Sequence, residues 1–279
     1  MPELPEVESV RLGLQAHLRG ARIIRALQLH PRALSRESIA PLQAIEECRI
    51  TSVNRRGKFL WFVLDKKPMV LVAHLGMSGQ FRIEEVGQAR HPHCRARFRV
   101  KRGKQEFHLS FHDQRTFGWL RVDEMSKGIP SSISHIARDP FDEKFDRKAV
   151  IQNLKAKRTE IKRALLDQSV MSGVGNIYAD EALWRARIHP RKLAEKLSEN
   201  EIASLLTSVA RVMKRALKAG GTSFDDLYTN VNGESGYFEN SLEVYGREDE
   251  ECSRCGHLIK RIKFTNRSSH FCPQCQPRR

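Results

Sequence analysis

The chain has 279 residues, room for two domains at about 100–200 residues each. Hydrophobic residues make up 40% and charged residues 29%, which supports a packed core and excludes a disordered tail. Lys and Arg outnumber Asp and Glu by 49 to 33; the resulting charge of +16 favours a polyanion as partner, nucleic acid first. No apolar run approaches the roughly 18–20 residues of a membrane span. The start, Met1-Pro2-Glu3-Leu4-Pro5-Glu6, has neither the basic stretch nor the apolar segment of a secretory leader. Six cysteines are too few for a disulfide scaffold. These features predict a cytoplasmic protein with no membrane partner.

Residues 3–19 read as a helix. Pro2 and Pro5 stand at its start, where a missing N–H costs little, and Leu4, Val7, Val10 and Leu14 recur at helical spacing. Glu3 and Glu6, three apart, share a face close to the amino terminus. From residue 21 to about 123 the period changes to two. Cys94, Ala96, Phe98 and Val100 alternate with Arg95, Arg97 and Arg99. Phe107, Leu109 and Phe111 alternate with His108, Ser110 and His112. The continuous apolar runs Phe59–Leu64 and Met69–Ala73 read as central buried strands, and short strands broken by turns predict a sandwich of sheets. Residues 126–146, with Gly128, Pro130, four serines and Pro140, form a candidate linker. Beyond it the pattern is helical. Ser198-Glu199-Asn200-Glu201 is a capping box that opens a helix with Leu205, Val209, Val212 and Ala216 on its apolar side, and Gly220-Gly221 ends it. The polar, glycine-bearing residues 222–241 read as a loop.

Three constellations carry chemistry. Cys252-x2-Cys255-x16-Cys272-x2-Cys275 places two CxxC knuckles where four thiolates can close round one zinc ion, a structural site with no open position. The alternative is two disulfides or four free thiols. Between the knuckles, residues 258–271 predict a hairpin with Ile259, Ile262 and Phe264 set among basic residues. Asn266 is expected at a turn position of positive φ, with Arg267 at the tip. Cys48 and Cys94 read as core cysteines. Second, Met171-Ser172-Gly173-Val174-Gly175 precedes a helix opening at Asn176. Two glycines there make either a tight turn or an anion site at the helix N-terminus, to which Asn176 could add its amide. Lys155, Lys157, Arg158, Lys162 and Arg163 crowd the preceding segment. Third, removal of Met1 leaves Pro2 as a secondary amine; an α-amino group with a pKa near 8 keeps a usable neutral fraction at pH 7 and can form an iminium with a sugar carbon. The alternative is that Pro-Glu at a helix start is only good capping chemistry.

Six segments together resemble the bacterial formamidopyrimidine-DNA glycosylases (Fpg, MutM), in one order over nearly the whole chain. They are Pro2-Glu3-Leu4-Pro5-Glu6-Val7-Glu8, Arg55-Arg56-Gly57-Lys58, His74-Leu75-Gly76-Met77-Ser78-Gly79, Asp113-Gln114-Arg115-Thr116-Phe117-Gly118, Gly173-Val174-Gly175-Asn176-Ile177-Tyr178 and the zinc segment. The resemblance implies an α+β multidomain fold: an N-terminal β-sandwich with flanking helices over residues 1–130, a linker over 131–148, and a helix-two-turns-helix domain over 149–224. A lesion-recognition loop over 225–241 and a zinc-finger hairpin over 242–279 would follow. It implies a bifunctional glycosylase and lyase that flips an oxidised purine out of damaged double-stranded DNA. Pro2 would be the nucleophile, Glu3 the acid and Glu6 its support, with Lys58 in β-elimination and Arg267 in δ-elimination. Met77, Arg115 and Phe117 would fill the void left by the flipped base, and His74, His91, Lys157 and Asn176 would contact DNA. One structural zinc on Cys252, Cys255, Cys272 and Cys275, no small-molecule cofactor and a monomeric state complete the expectation.

The chain departs from many relatives in Gln114 and Thr116, between which Arg115 keeps register, and in Asn266, which should still turn; Glu234, where some relatives place Lys, bears on base preference and not on activity. A sister group of glycosylases for oxidised pyrimidines usually begins Pro-Glu-Gly-Pro, against Pro2-Glu3-Leu4-Pro5 here, and tends to lack the Met–Arg–Phe trio. A non-catalytic zinc-finger DNA-binding protein would need no proline amine beside two carboxylates.

Overall fold

In the computed structural model, which describes residues 2–220 and 241–278, the chain divides into residues 2–135 and residues 136–219 with 241–278. The first unit begins with α1 (Leu4–Leu18), capped by Glu3, one residue shorter at each end than the periodicity predicts. Leu4, Val7, Val10, Leu14 and Leu18 are buried, the stripe expected from their spacing.

Nine strands follow. One antiparallel sheet has the order β2-β3-β4-β8-β9, with β2 Ile50–Arg56, β3 Phe59–Leu64, β4 Met69–His74, β8 Trp119–Ser126 and β9 Ile129–Pro130. The two continuous apolar runs are its interior strands β3 and β4, as predicted. The other sheet has the order β1-β6-β7-β5, with β1 Arg22–Gln28, β5 Gly79–Glu85, β6 Cys94–Arg102 and β7 Gln105–Asp113. The sheets share one core. Phe62 of β3 meets Phe81 of β5 edge to face at 5.5 Å, and Phe81 lies 5.2 Å from Phe111 of β7. Cys48 and Cys94 are buried, as expected of core cysteines. Short 3-10 turns at Pro31–Ala33 and Leu42–Ile45 interrupt the region read as strands throughout.

The polar face of β6 and β7 is not a plain solvated surface. Arg97 is buried and donates to Glu84 Oε2 at 2.6 Å and to Ser110 Oγ at 3.0 Å, while Ser110 donates to Glu84 Oε2 at 2.5 Å. Alternation places these residues on the polar face correctly but does not show that they pair and close over one another.

The second unit carries α2 (Arg147–Lys155), α3 (Ile161–Leu166), α4 (Asn176–Ala186) and α5 (Glu199–Lys218), then the ribbon β10 (Lys260–Phe264) and β11 (Arg267–Phe271). Helix α2 starts inside the stretch read as linker, because Asp146 caps it by accepting the Ala149 N–H at 3.0 Å. Ser198 and Glu201 form the predicted capping box of α5, whose Leu205, Val209, Val212 and Ala216 are buried. Helix α4 is buried from Asn176 to Trp184, the centre of this unit. The predicted loop 225–241 lies, except for Ser241, outside the described residues. Among the described residues no helix is long and apolar enough to cross a membrane.

Candidate active site and nucleic-acid interface

In the first unit, side chains on α1 tie the helix to the outer strand β2. Gln15 Oε1 accepts the Val53 N–H at 2.6 Å, Arg11 donates to Val53 O at 3.2 Å, and Glu8 pairs with Arg55 at 2.8 Å and with Arg11 at 2.8 Å. Burial alone pushes the Glu8 carboxyl up; the hydrogen bonds from Arg11 and Arg55 outweigh it and bring it below the usual carboxylate range. This walk along the helix, from Gln15 to Glu8, runs toward the β2–β3 turn at Gly57-Lys58. Its next helical turn carries the chain start.

There Glu6 Oε2 accepts the backbone N–H of Glu3 at 2.9 Å, and the two form a reciprocal capping box. Pro2 is buried, and Glu3 and Glu6 are only 2% and 3% exposed. Lys58, in the turn where Gly57 takes φ 54°, is buried as well.

Lys58 precedes Phe59, which pairs with His74, the last residue of β4. The His74 ring sits 4.9 Å from that of Phe59 and stacks on Trp119 at 5.8 Å and 22°. Burial, reinforced by the Lys58 charge, lowers its pKa from 6.5 to about 4. Its Nδ1 accepts the Gly76 N–H at 3.2 Å, so the proton of the neutral ring stands on Nε2, which can only donate.

The loops after β4 and β7 are fused backbone to backbone. Gly76 has φ 62°, and a Cβ there would lie 2.4 Å from the Gly118 nitrogen; a Cβ on Gly79 would lie 2.4 Å from the Leu75 oxygen. Asp113, buried, is their strut. It accepts the Ser78 hydroxyl at 2.5 Å, the Arg115 N–H at 3.2 Å and the Gly118 N–H at 2.6 Å. On this base stand Met77, Arg115 and Phe117, all exposed, with Arg115 Nη1 3.9 Å from Met77 Sδ. Phe117 is 58% exposed. Large apolar side chains on a rigid base are shaped to meet something outside the fold. His91, in the β5–β6 loop, stacks on His112 at 4.9 Å and 16°. His112 Nε2 in turn lies 3.0 Å from the Glu84 Oε1 of the buried network, and burial lowers the His112 pKa to about 4.

In the second unit, Lys157 follows α2 and pairs with Asp167 at 2.9 Å. The loop before α4 is laced by Gln168, which accepts the Gly173 N–H at 2.8 Å and donates to Val174 O at 3.0 Å. Asn176, the first residue of α4, donates through Nδ2 to Ser268 O of β11 at 3.0 Å. Lys162 does not belong to the basic surface read from the sequence. It is fully buried against Asp180, and a charge run shows no partners.

The four cysteines fit the predicted metal. All four Sγ atoms lie within 4.8 Å of one another, with separations of 3.4, 3.5 and 4.0 Å for the pairs 255–272, 255–275 and 252–275. A tetrahedral zinc with bonds of about 2.3 Å needs about 3.8 Å between sulfurs. Trp184 Nε1 donates to Cys252 Sγ at 3.4 Å and the Cys275 N–H to Cys272 Sγ at 3.3 Å, donors of the kind that hold thiolates. Arg267 is exposed at the ribbon tip, but the positive φ falls on Thr265 (52°) rather than on Asn266. In a two-residue turn of this kind the first central position takes the left-handed backbone.

The sequence description of the formamidopyrimidine-DNA glycosylase N-terminal domain matches residues 1–120, that of the H2TH domain residues 136–227, and that of the zinc finger found in FPG and IleRS residues 249–278. The chain belongs to the formamidopyrimidine-DNA glycosylase family. It is 52% identical to the formamidopyrimidine-DNA glycosylase of Rhodococcus jostii over 99% of this chain and 96% of that one, and 50% identical to that of Mycobacterium avium over 100% and 99%. The Lactococcus lactis Fpg bound to abasic-site DNA superposes with a TM-score of 0.86 at 34% identity, covering 99% of this chain and 100% of that one. MutM bound to DNA containing carbocyclic 8-oxo-G superposes with 0.85 at 33% identity, with the same coverage. The expected family fold is therefore present: a β-sandwich, an H2TH helical unit and a zinc-finger ribbon. What the sequence did not reveal is the Asp113 strut, because its partners lie up to 35 residues away in the chain and meet only when β5 pairs with β7.

Proposed function

We propose that the chain is a bifunctional DNA glycosylase and AP lyase that removes oxidised purines, 8-oxoguanine and formamidopyrimidines, from duplex DNA. The observation that carries this reading is the burial of Glu3 and Glu6 beside Pro2. Capping a helix needs no burial, and carboxylates are seldom taken out of water without a task. Relatives were captured with abasic-site DNA and with 8-oxo-G analogue DNA, which supports the substrate class.

In this reading the Pro2 nitrogen attacks C1′, the bond from C1′ to the base breaks, and the base leaves with a proton. Glu3 delivers a proton to the ring oxygen, the sugar opens, and the Pro2 nitrogen carries an iminium. Glu6 holds the Glu3 backbone and faces the developing cation. Loss of a C2′ proton expels the 3′ phosphate with help from Lys58, and a second elimination, assisted by Arg267, expels the 5′ phosphate. Hydrolysis of the iminium returns the amine. Met77 and Phe117 replace the stacking lost when the base leaves the helix, and Arg115 donates to the orphaned base. His74 donates from Nε2 to phosphate, and His91, Lys157 and Asn176 each contact DNA. One zinc ion holds the ribbon and takes no part in the chemistry. The protein acts as a cytoplasmic monomer with no small-molecule cofactor.

Borohydride trapping on a duplex with one 8-oxoguanine opposite cytosine tests this. A covalent protein–DNA band is expected from the native chain, strongly reduced for Pro2→Gly and Glu3→Gln. Tight binding with no band on duplexes carrying 8-oxoguanine, a formamidopyrimidine or an abasic site would overturn the lyase reading.

A further inference from the structure

Lys162 of α3 and Asp180 of α4 form an ion pair in which both side chains are wholly buried, Nζ to Oδ1 2.7 Å. Burying two charges contributes little net stability, because desolvation consumes most of the attraction. The pair's other bonds show what it holds. Lys162 Nζ donates to Ser268 O at 3.1 Å, Asp180 Oδ1 accepts the Ser269 hydroxyl at 2.7 Å, and Asp180 Oδ2 accepts the His270 N–H at 2.9 Å. Asn176 donates to the same Ser268 carbonyl. Residues 268 and 270 are two apart on β11, so their backbone groups face the same side, the one turned away from β10. Side chains of α3 and α4 thus occupy the place of a third strand. The Lys162 ammonium also lies 5.2 Å from the centre of the Phe264 ring, and Phe264 pairs with Arg267 across the ribbon. One ammonium therefore touches both strands of the ribbon beside its tip, at the Phe264 ring and at the carbonyl of the residue directly after Arg267.

We infer that Lys162 and Asp180 are positioning residues for Arg267. The buried pair fixes the register and tilt of the ribbon on α4, and so sets where the exposed guanidinium stands relative to Lys157 and Asn176. An apolar contact at this place could bury as much surface but would let the ribbon slide; a charge-assisted clamp on one carbonyl and one N–H does not. This inference rests on the reading that Arg267 acts on DNA.

A double-mutant cycle on the zinc-loaded full chain tests it, with affinity measured on a duplex carrying a tetrahydrofuran abasic analogue, and with thermal unfolding and zinc content in parallel. Lys162→Met is expected to weaken binding about tenfold in the native background and less than twofold when Arg267→Ala is already present. Its effect on the unfolding temperature should be the same in both backgrounds, which a merely structural role would also give; the affinity coupling is what such a role would not give. Should Lys162→Met fail to fold, the double change Lys162→Met with Asp180→Asn leaves no charge without its counter-ion and enters the same cycle. An equal loss of affinity in both backgrounds would overturn the positioning role alone. An Arg267→Ala protein that binds like the native chain would instead overturn the reading of Arg267.

Discussion

His74 shows how a single residue is tuned by its surroundings. Its folded-state pKa of about 4 lies below the 6.5 of the free side chain. Above pH 6.5 both folded and unfolded chains are neutral here, and stability does not depend on pH through this group. As pH falls from 6.5 toward 4, the unfolded chain takes up a proton that the folded chain refuses, so stability drops, by about 3 kcal/mol at most over the whole interval. Urea midpoints at pH 7 and pH 5 should therefore fall less for His74→Asn than for the native chain; equal falls would mean that the ring titrates normally. A second contrast separates function from stability on the fused loops. Phe117→Ala removes an exposed ring and should shift stability by less than about 0.5 kcal/mol while weakening lesion-duplex binding about tenfold. Asp113→Ala orphans the Ser78 hydroxyl and the Gly118 N–H and should cost about 2–4 kcal/mol, read as a lower urea midpoint. Met77, Arg115 and Phe117 entered through the family resemblance, and the structure exposes all three on the loops after β4 and β7. The burial of Lys162 and Arg97 was not legible, since a sequence displays a charge but not the carboxylate 18 or 13 positions away that pairs with it.

At the scale of elements, those with local signals were the readable ones. The proline-led start of α1, the Ser198 capping box of α5 and the alternation of β6 and β7 each depend on residues within a few positions of one another. The zinc ribbon was legible from cysteine spacing alone. The left-handed turn residue was not, because intrinsic preference favours Asn266 over the β-branched Thr265, whereas the turn closed by the Phe264–Arg267 pair puts the positive φ on Thr265. The ribbon's small core comprises Trp184, Val244, Cys252, Ile259 and Cys272. Two thiols and three apolar side chains make a small core, which a metal ion on the four cysteines would complete. Chelation of zinc should consequently change Trp184 emission, since its indole donates to Cys252 and stacks under Arg254 at 3.9 Å, and should abolish stable DNA binding in the same titration. Full binding by a Cys272→Ser protein would show that the ribbon is dispensable.

For the molecule as a whole, charge was written in composition and a sandwich of sheets in the alternation and its turns, whereas which strands pair within each sheet was not. The excess of 16 positive charges makes a quantitative demand. If about five phosphates are neutralised, log K should fall against log salt with a slope near −4.5. A flat response measured between 50 and 200 mM salt, about the range over which such slopes are resolved, would sink the DNA-binding reading. The clamp on β11 has one more effect, which concerns the behaviour of many molecules together. A two-stranded ribbon offers two raw edges to any passing chain, and raw edges seed intermolecular sheets. Here Lys162, Asp180 and Asn176 occupy the backbone of one edge, and the outer strand carries Lys260, Arg261 and Lys263, with Arg191 donating to Lys263 O at 2.7 Å. This two-stranded sheet is thereby guarded against aggregation on both sides, by occupancy on one and by like-charge repulsion on the other.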